Sequence, residues 1–157
     1  MPYTFQSVKN MEKLTDSSKL CNFIESFSDY GNQFSLICGK IEALFGQPIY
    51  KTENLENLFS YCILAASEEV EEVYLDIYCA GSGLAVGGIS DEKSRKAAKA
   101  LVDYVRQAEP INYAYKAYYL DGPTALEFGI RDGAPYYNET ELRLSEKEFR
   151  ELYARLL

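Results

Sequence analysis

Apolar residues recur with a helical period in two segments of the first third of the chain. Residues 17–29 carry apolar side chains spaced i, i+3, i+4 and i+7, at Leu20, Phe23, Ile24 and Phe27. Residues 33–45 repeat this spacing, and Gly46 followed by Pro48 is typical of a helix end. The pattern predicts an amphipathic helix over each of the two segments.

The middle of the chain changes to a two-residue period. Between Val73 and Cys79 apolar residues alternate with Tyr74, Asp76 and Tyr78, as in a strand that has one face in the core. Residues 58–66 are apolar on both faces, which favours a central strand. We therefore expect a hairpin, and four acids occupy its tip: Glu68, Glu69, Glu71 and Glu72.

A glycine-rich segment follows the predicted hairpin. The tripeptide 81–83 predicts a turn into a short strand over residues 84–86, which two further glycines, 87 and 88, are expected to end. Ser90 is the expected N-cap of a helix over 91–108. Its apolar stripe comprises Ala97, Ala98, Leu101, Val102 and Val105.

The last third of the chain favours strands and a final helix. Strands are predicted over 111–120 and 126–131, and Asp132-Gly133 is a strong hairpin signal that returns the chain through residues 136–137. Along the first of these strands, Tyr113, Tyr115, Ala117 and Tyr119 share one face. Ser145 and Glu148 form a capping box for the C-terminal helix.

This order of elements predicts an α+β fold. Because hairpin links dominate, we expect a mainly antiparallel sheet of five to six strands with helices packed mostly on one face. A length of 157 residues suits one globular domain, 1–157. The first residues lack a basic region followed by an apolar core, and no apolar stretch reaches ~18 residues. A cytoplasmic protein with no membrane partner is therefore expected.

The absence of histidine narrows the chemistry. A chain with 0 histidines has no Ser–His–Asp triad, no Cys–His dyad and no imidazole base. Its cysteines, at positions 21, 38, 62 and 79, form no CxxC pair and lie in apolar runs, which favours buried free thiols. We expect no metal, no cofactor and no enzymatic activity.

Negative charge is concentrated in one part of the sequence. The net charge is −8, and residues 41–80 hold eight acids and one base, a net of 1 − 8 = −7. Nucleic-acid binding requires an extended positive surface and is therefore not expected. An acidic surface favours a basic protein partner through steering, and solubility alone is the other interpretation.

The expected binding site lies on the predicted hairpin. Tyrosine buries a large area and keeps a polar tip, and a carboxylate beside tyrosine on one strand face suits a Lys or Arg side chain. The predicted partner-binding residues are Glu68, Glu69, Glu71, Glu72, Tyr74, Asp76 and Tyr78. The other interpretation of Asp76 is an exposed strand face of mixed residues.

These features lead to one functional hypothesis and two alternatives. The first is a non-catalytic acidic protein-binding module that engages a basic partner protein, as immunity or inhibitor proteins and secretion chaperones of similar size and charge do. The second is a small-molecule-binding or His-independent enzyme domain that uses the glycine turn at 81–88, where backbone N–H groups approach a ligand. Its candidate ligand loop comprises Gly81, Ser82, Gly83, Gly87 and Gly88, although their spacing fits no nucleotide motif. The third is a homodimer formed through an edge strand or the tyrosine face.

Overall fold

The computed structural model describes residues 3–9, 22–28, 32–55, 57–68, 72–80, 83–119 and 122–156. Within these residues the chain forms nine strands and three helices. The strands are β1 (Thr4–Val8), β2 (Asn22–Ser28), β3 (Tyr50–Lys51), β4 (Asn57–Ala66), β5 (Val73–Ala80), β6 (Gly83–Gly88), β7 (Tyr113–Tyr118), β8 (Thr124–Arg131) and β9 (Ala134–Glu141). The helices are α1 (Asn32–Phe45), α2 (Glu92–Arg106) and α3 (Glu146–Leu156). The predicted α+β class is confirmed.

A six-stranded antiparallel sheet forms the larger part of the fold. Its strand order is β1-β4-β5-β6-β2, and β3 also pairs with β4. The predicted hairpin is confirmed by the β4–β5 pairing, in which Cys62 lies opposite Asp76. On the other side of β5, Asp76 lies opposite Gly87 of β6. Since cross-strand partners point to the same face, these three residues lie in one row across the sheet.

The helix predicted over 17–29 is wrong where the structure describes that segment. Residues 22–28 form β2, an edge strand antiparallel to β6, whereas residues 17–21 and 29 lie outside the described part. Ile24 and Phe27 each fall at a register shift of this pairing. A bulge inserts one extra residue, so two core-facing side chains can be separated by three positions. The three-residue spacing of Ile24 and Phe27 therefore matches the period of a helix, although both residues lie in a strand.

Strand β6 and helix α2 begin or end differently from the prediction. Gly87 and Gly88 continue β6 rather than ending it. A Cβ atom at Gly88 would lie 2.8 Å from Cδ1 of Ile24, so neighbouring strands leave no room for a side chain. The N-cap of α2 is Asp91 instead of Ser90, because the Asp91 carboxylate accepts a hydrogen bond from the Ser94 N–H at 2.8 Å. The predicted apolar stripe of α2 is buried as expected.

The C-terminal strands form a second sheet rather than extending the first. Its order is β7-β8-β9, and the predicted turn at Asp132-Gly133 has φ values of 52° and 78°, as a two-residue type I′ hairpin requires. The segment before β4 connects the sheets: Tyr118 donates its N–H to the Glu53 carbonyl at 2.7 Å. The predicted cap of α3 is confirmed, since the Ser145 hydroxyl accepts from the Glu148 N–H at 3.2 Å.

One cluster of buried apolar residues joins α1, α2 and strands of both sheets. Helix α1 lies close to the second sheet: the Ser35 hydroxyl donates to the Tyr136 carbonyl at 2.8 Å. Cys38, Cys62 and Cys79 are buried free thiols, as predicted, and Cys21 lies outside the described residues. Among the described residues, no helix combines the length and apolar character needed to cross a membrane. That the chain forms a single domain stays a prediction.

Candidate functional site

Strand β5 separates its side chains between two faces, as its alternation predicted. Leu75, Ile77 and Cys79 are fully buried in the core that the helices cover. Tyr74, Asp76 and Tyr78 point to the opposite face and are partly buried. We call this second face, with Glu68 and Glu72 at its hairpin end, the Asp76 face.

Asp76 has unequal neighbours on its two sides. Cys62, opposite it on β4, is completely buried. Gly87, opposite it on β6, brings no side chain to the row. Beyond Gly87 the next residue of the row is Phe23 of the edge strand, which is 63% exposed. The row therefore runs from a buried thiol, through a carboxylate, to an exposed aromatic ring.

The Asp76 carboxyl group is in an unfavourable environment. Its Oδ1 atom is buried and has no hydrogen-bond partner among the described residues. Burial raises the pKa of Asp76 from 3.8 to about 7, because removal from water disfavours the charged form. The interpretation of Asp76 as part of an exposed strand face is therefore wrong. This carboxyl group therefore keeps its proton to a much higher pH than a solvated aspartate does.

The structure describes only half of the predicted acidic tip. Glu68 and Glu72 are exposed, whereas Glu69 and Glu71 lie outside the described residues. The last pairs of the hairpin, Ala65↔Val73 and Leu64↔Tyr74, place these two acids at the end of the strands nearest Tyr74. Glu72 precedes Asp76 by four positions, roughly 13 Å at the strand rise. The two acids therefore lie at the margin of the Asp76 face.

The glycine segment does not form the predicted loop where it is described. Gly81 and Ser82 lie outside the described residues, and Gly83, Gly87 and Gly88 are buried in β6. Gly87 lies between two paired strands, so its backbone belongs to the sheet. Gly87 and Gly88 therefore belong to a strand rather than to a loop, and their role in ligand binding stays a prediction. A small-molecule or enzymatic role for the segment stays an untested alternative.

A second site, which the sequence did not reveal, lies on the other side of β4. A cavity of about 30 Å³ is bounded by α1, β3, β4 and the second sheet. We call it the aromatic cavity, after the side chains that line it together with Glu42 and Lys51: Phe59, Tyr61, Tyr113, Tyr115 and Phe128. The only signal in the sequence was the shared face of Tyr113 and Tyr115, because the other residues come from distant segments.

Hydrogen bonds and charges define the chemistry of the aromatic cavity. The Tyr113 hydroxyl donates to the Ser35 carbonyl at 2.8 Å, and the Tyr61 hydroxyl donates to the Gly46 carbonyl at 2.6 Å. The Lys51 ammonium lies 4.6 Å from the centroid of the Tyr115 ring. Burial raises the pKa of the Cys38 thiol well above its usual value of 9.0. The cavity is therefore lined by a neutral thiol, by hydroxyl groups that already donate to backbone carbonyls, and by one cationic side chain, Lys51.

Comparisons with known protein families, curated proteins and solved structures give no match for this chain. Within the described ranges, no group of three or more Cys, Asp or Glu side chains is arranged to hold a metal ion.

Proposed function

We propose that this protein is a non-catalytic, acidic protein-binding module whose Asp76 face receives a Lys or Arg side chain of a basic partner protein. One observation carries the proposal: the carboxyl group of Asp76 lies between Tyr74 and Tyr78, with a buried Oδ1 that has no hydrogen-bond partner among the described residues. A cationic side chain would supply both the hydrogen bond and the opposite charge.

The energetics of a buried carboxylate support this assignment. A buried polar atom without a hydrogen bond costs roughly 1–3 kcal/mol, and a charged one costs more. A guanidinium or ammonium group that donates to Asp76 would remove this cost on binding. The tyrosine rings on either side along the strand suit the same cation, because the faces of aromatic rings attract positive charge.

The charge of the chain supports the same kind of partner. A net charge of −8, with Glu68 and Glu72 exposed at the margin of the face, attracts a basic protein over a distance and accelerates its association. Immunity proteins that neutralise toxins and secretion chaperones share this size and charge. A cytoplasmic location belongs to the same proposal.

Capture from host lysate with matched baits tests the proposal. The baits are the wild type, the double variant Glu68→Lys/Glu72→Lys, and a control, Glu109→Lys/Glu139→Lys. The control changes the net charge equally at exposed positions elsewhere. We expect the wild type and the control to retain the same basic protein, and the hairpin variant to lose it at moderate salt. Equal retention by all three baits would show that the Asp76 face is not the binding surface.

A calorimetric titration with the purified partner then tests the role of Asp76 itself. Because burial raises the pKa of Asp76 to about 7, pairing with a cation near pH 7 should release a measurable fraction of a proton per complex. Titrations in buffers of different ionisation enthalpy measure this number. The Asp76→Asn variant should bind at least tenfold more weakly and release no such proton. A partner that binds Asp76→Asn as tightly as the wild type would contradict the proposal.

A further inference from the structure

We infer that the aromatic cavity is a binding site for a small organic ammonium group, and that Lys51 occupies this site from within the chain. The inference does not rest on the proposed protein-binding function. Tyr61 lies opposite Ile77 on the core side of the sheet, whereas Asp76 points to the other face. The two sites therefore lie on opposite sides of the sheet.

The lining of the cavity has the composition of a cation site. Aromatic rings from β4, β7 and β8 meet there, at Phe59, Tyr61, Tyr113, Tyr115 and Phe128. Packed rings support this arrangement: the centroids of Tyr115 and Phe128 are 5.5 Å apart. Enclosure by several aromatic rings is the common way in which proteins bind methylated or quaternary ammonium groups.

Lys51 shows that the cavity accepts a cation. Its ammonium lies 4.6 Å from the centroid of the Tyr115 ring, within the distance of about 6 Å at which a cation interacts with a ring face. Lys51 belongs to the two-residue strand β3 and is exposed. Its long side chain can therefore leave the cavity without disturbing the core.

The polar groups of the cavity select a cation over an anion. Tyr113 and Tyr61 donate their hydroxyl hydrogens to backbone carbonyls, and the Tyr113 hydroxyl also shares a hydrogen bond with the Cys38 thiol, so neither tyrosine has an O–H left for an anion. Glu42 adds a carboxylate to the lining. An anion would meet these oxygens and a ring of π-electron density, whereas an ammonium group is attracted by both.

The position of the Lys51 ammonium explains why Lys51 must be displaced. It lies 4.6 Å from the centroid of the Tyr115 ring, where the ammonium group of a ligand would bind. A ligand must therefore replace the Lys51 side chain. Truncation of this residue should strengthen binding, because the internal competitor is removed.

A titration with choline, monitored through the backbone amide chemical shifts in NMR spectra, tests the inference. The control ligand is the neutral isostere of choline in which carbon replaces nitrogen. We expect Lys51→Ala to bind choline about tenfold more tightly than the wild type, and the isostere about tenfold more weakly than choline. The shifted amides should belong to α1, β4 and β7. A Lys51→Ala variant that binds neither ligand, or binds both equally, would overturn the inference.

Three further variants keep the result interpretable. Adding Tyr115→Leu to Lys51→Ala should abolish choline binding; if that variant does not fold, Glu42→Gln in the Lys51→Ala background should weaken binding about threefold or more. Asp76→Asn in the same background should bind choline unchanged. Choline shifts confined to residues 74–78, and lost with Asp76→Asn, would place the cation on the Asp76 face. This outcome would overturn the cavity inference and leave the proposed function standing.

Discussion

Asp76 and Glu42 are both acids beside tyrosine rings, but their surroundings differ. Glu42 lies on α1, accepts a hydrogen bond from the Gln47 side chain and lines a cavity together with Lys51. Asp76 lies on β5, and its Oδ1 has no hydrogen-bond partner in the part of the chain that the structure describes. The chain supplies a cation to the first region, and the described residues supply none to the second. This difference is why we assign an external cation to the Asp76 face.

The largest expected effect comes from removing the charge of Asp76. Burial raises its pKa to about 7 in the folded state, above its value of 3.8 when solvated. The unfolded chain therefore loses this proton first, and the native state loses stability as the pH rises from about 4 to about 7. A shift of about three pKa units corresponds to about 4 kcal/mol. As the pH rises from 4 to 8, the free energy of unfolding of Asp76→Asn should increase relative to that of the wild type by roughly this amount.

Urea denaturation of both proteins at several pH values measures this gain. Glu72→Gln is the matched control, because it removes an exposed acid next to the same strand. Its stability difference from the wild type should stay nearly constant with pH. If the Asp76→Asn difference is equally flat, the carboxyl group is ionised in the native state at little cost, and the contrast with Glu42 disappears.

A change in stability of intermediate size is expected when the Tyr113 hydroxyl is removed from the wall of the aromatic cavity. The Tyr113 hydroxyl donates to the Ser35 carbonyl in a partly buried hydrogen bond. Tyr113→Phe leaves this carbonyl without its donor and should reduce the free energy of unfolding by roughly 1–2 kcal/mol. Tyr104→Phe, at an exposed position of α2, is the control and should change it by less than about 0.5 kcal/mol. Equal changes in the two variants would show that the hydroxyl does not stabilise the cavity.

The smallest change in stability is expected when the Lys51 ammonium is removed. Lys51→Met keeps the apolar stem and removes the ammonium, so it should lower stability by only about 0.5–1 kcal/mol, the range for a cation over a ring at an exposed site. Lys99→Met, on the exposed side of α2, is the control. A loss above about 2 kcal/mol would mean that Lys51 is a structural part of the core, in which case a ligand could not displace it.

Local sequence patterns predicted the elements whose contacts are local. The alternation from Val73 to Cys79 correctly separated the two faces of β5, and the stripe of α2 named its buried residues. Asp132-Gly133 forms the predicted turn because this type of turn requires positive φ angles, which Asp and Gly adopt readily. The prediction failed at β2, where bulges gave Ile24 and Phe27 a helical spacing within a strand.

The sequence by itself determined the α+β class, the β4–β5 hairpin, the place of Asp76 between two tyrosines and the buried thiols. Each of these depends on residues close together in the chain. Tertiary structure alone decided that the C-terminal strands form a separate sheet, and that Asp76 is withdrawn from water. It also assembled the aromatic cavity, whose members Glu42, Lys51 and Phe128 are far apart in sequence. Burial and cavity shape result from contacts between distant segments, which local periodicity does not encode.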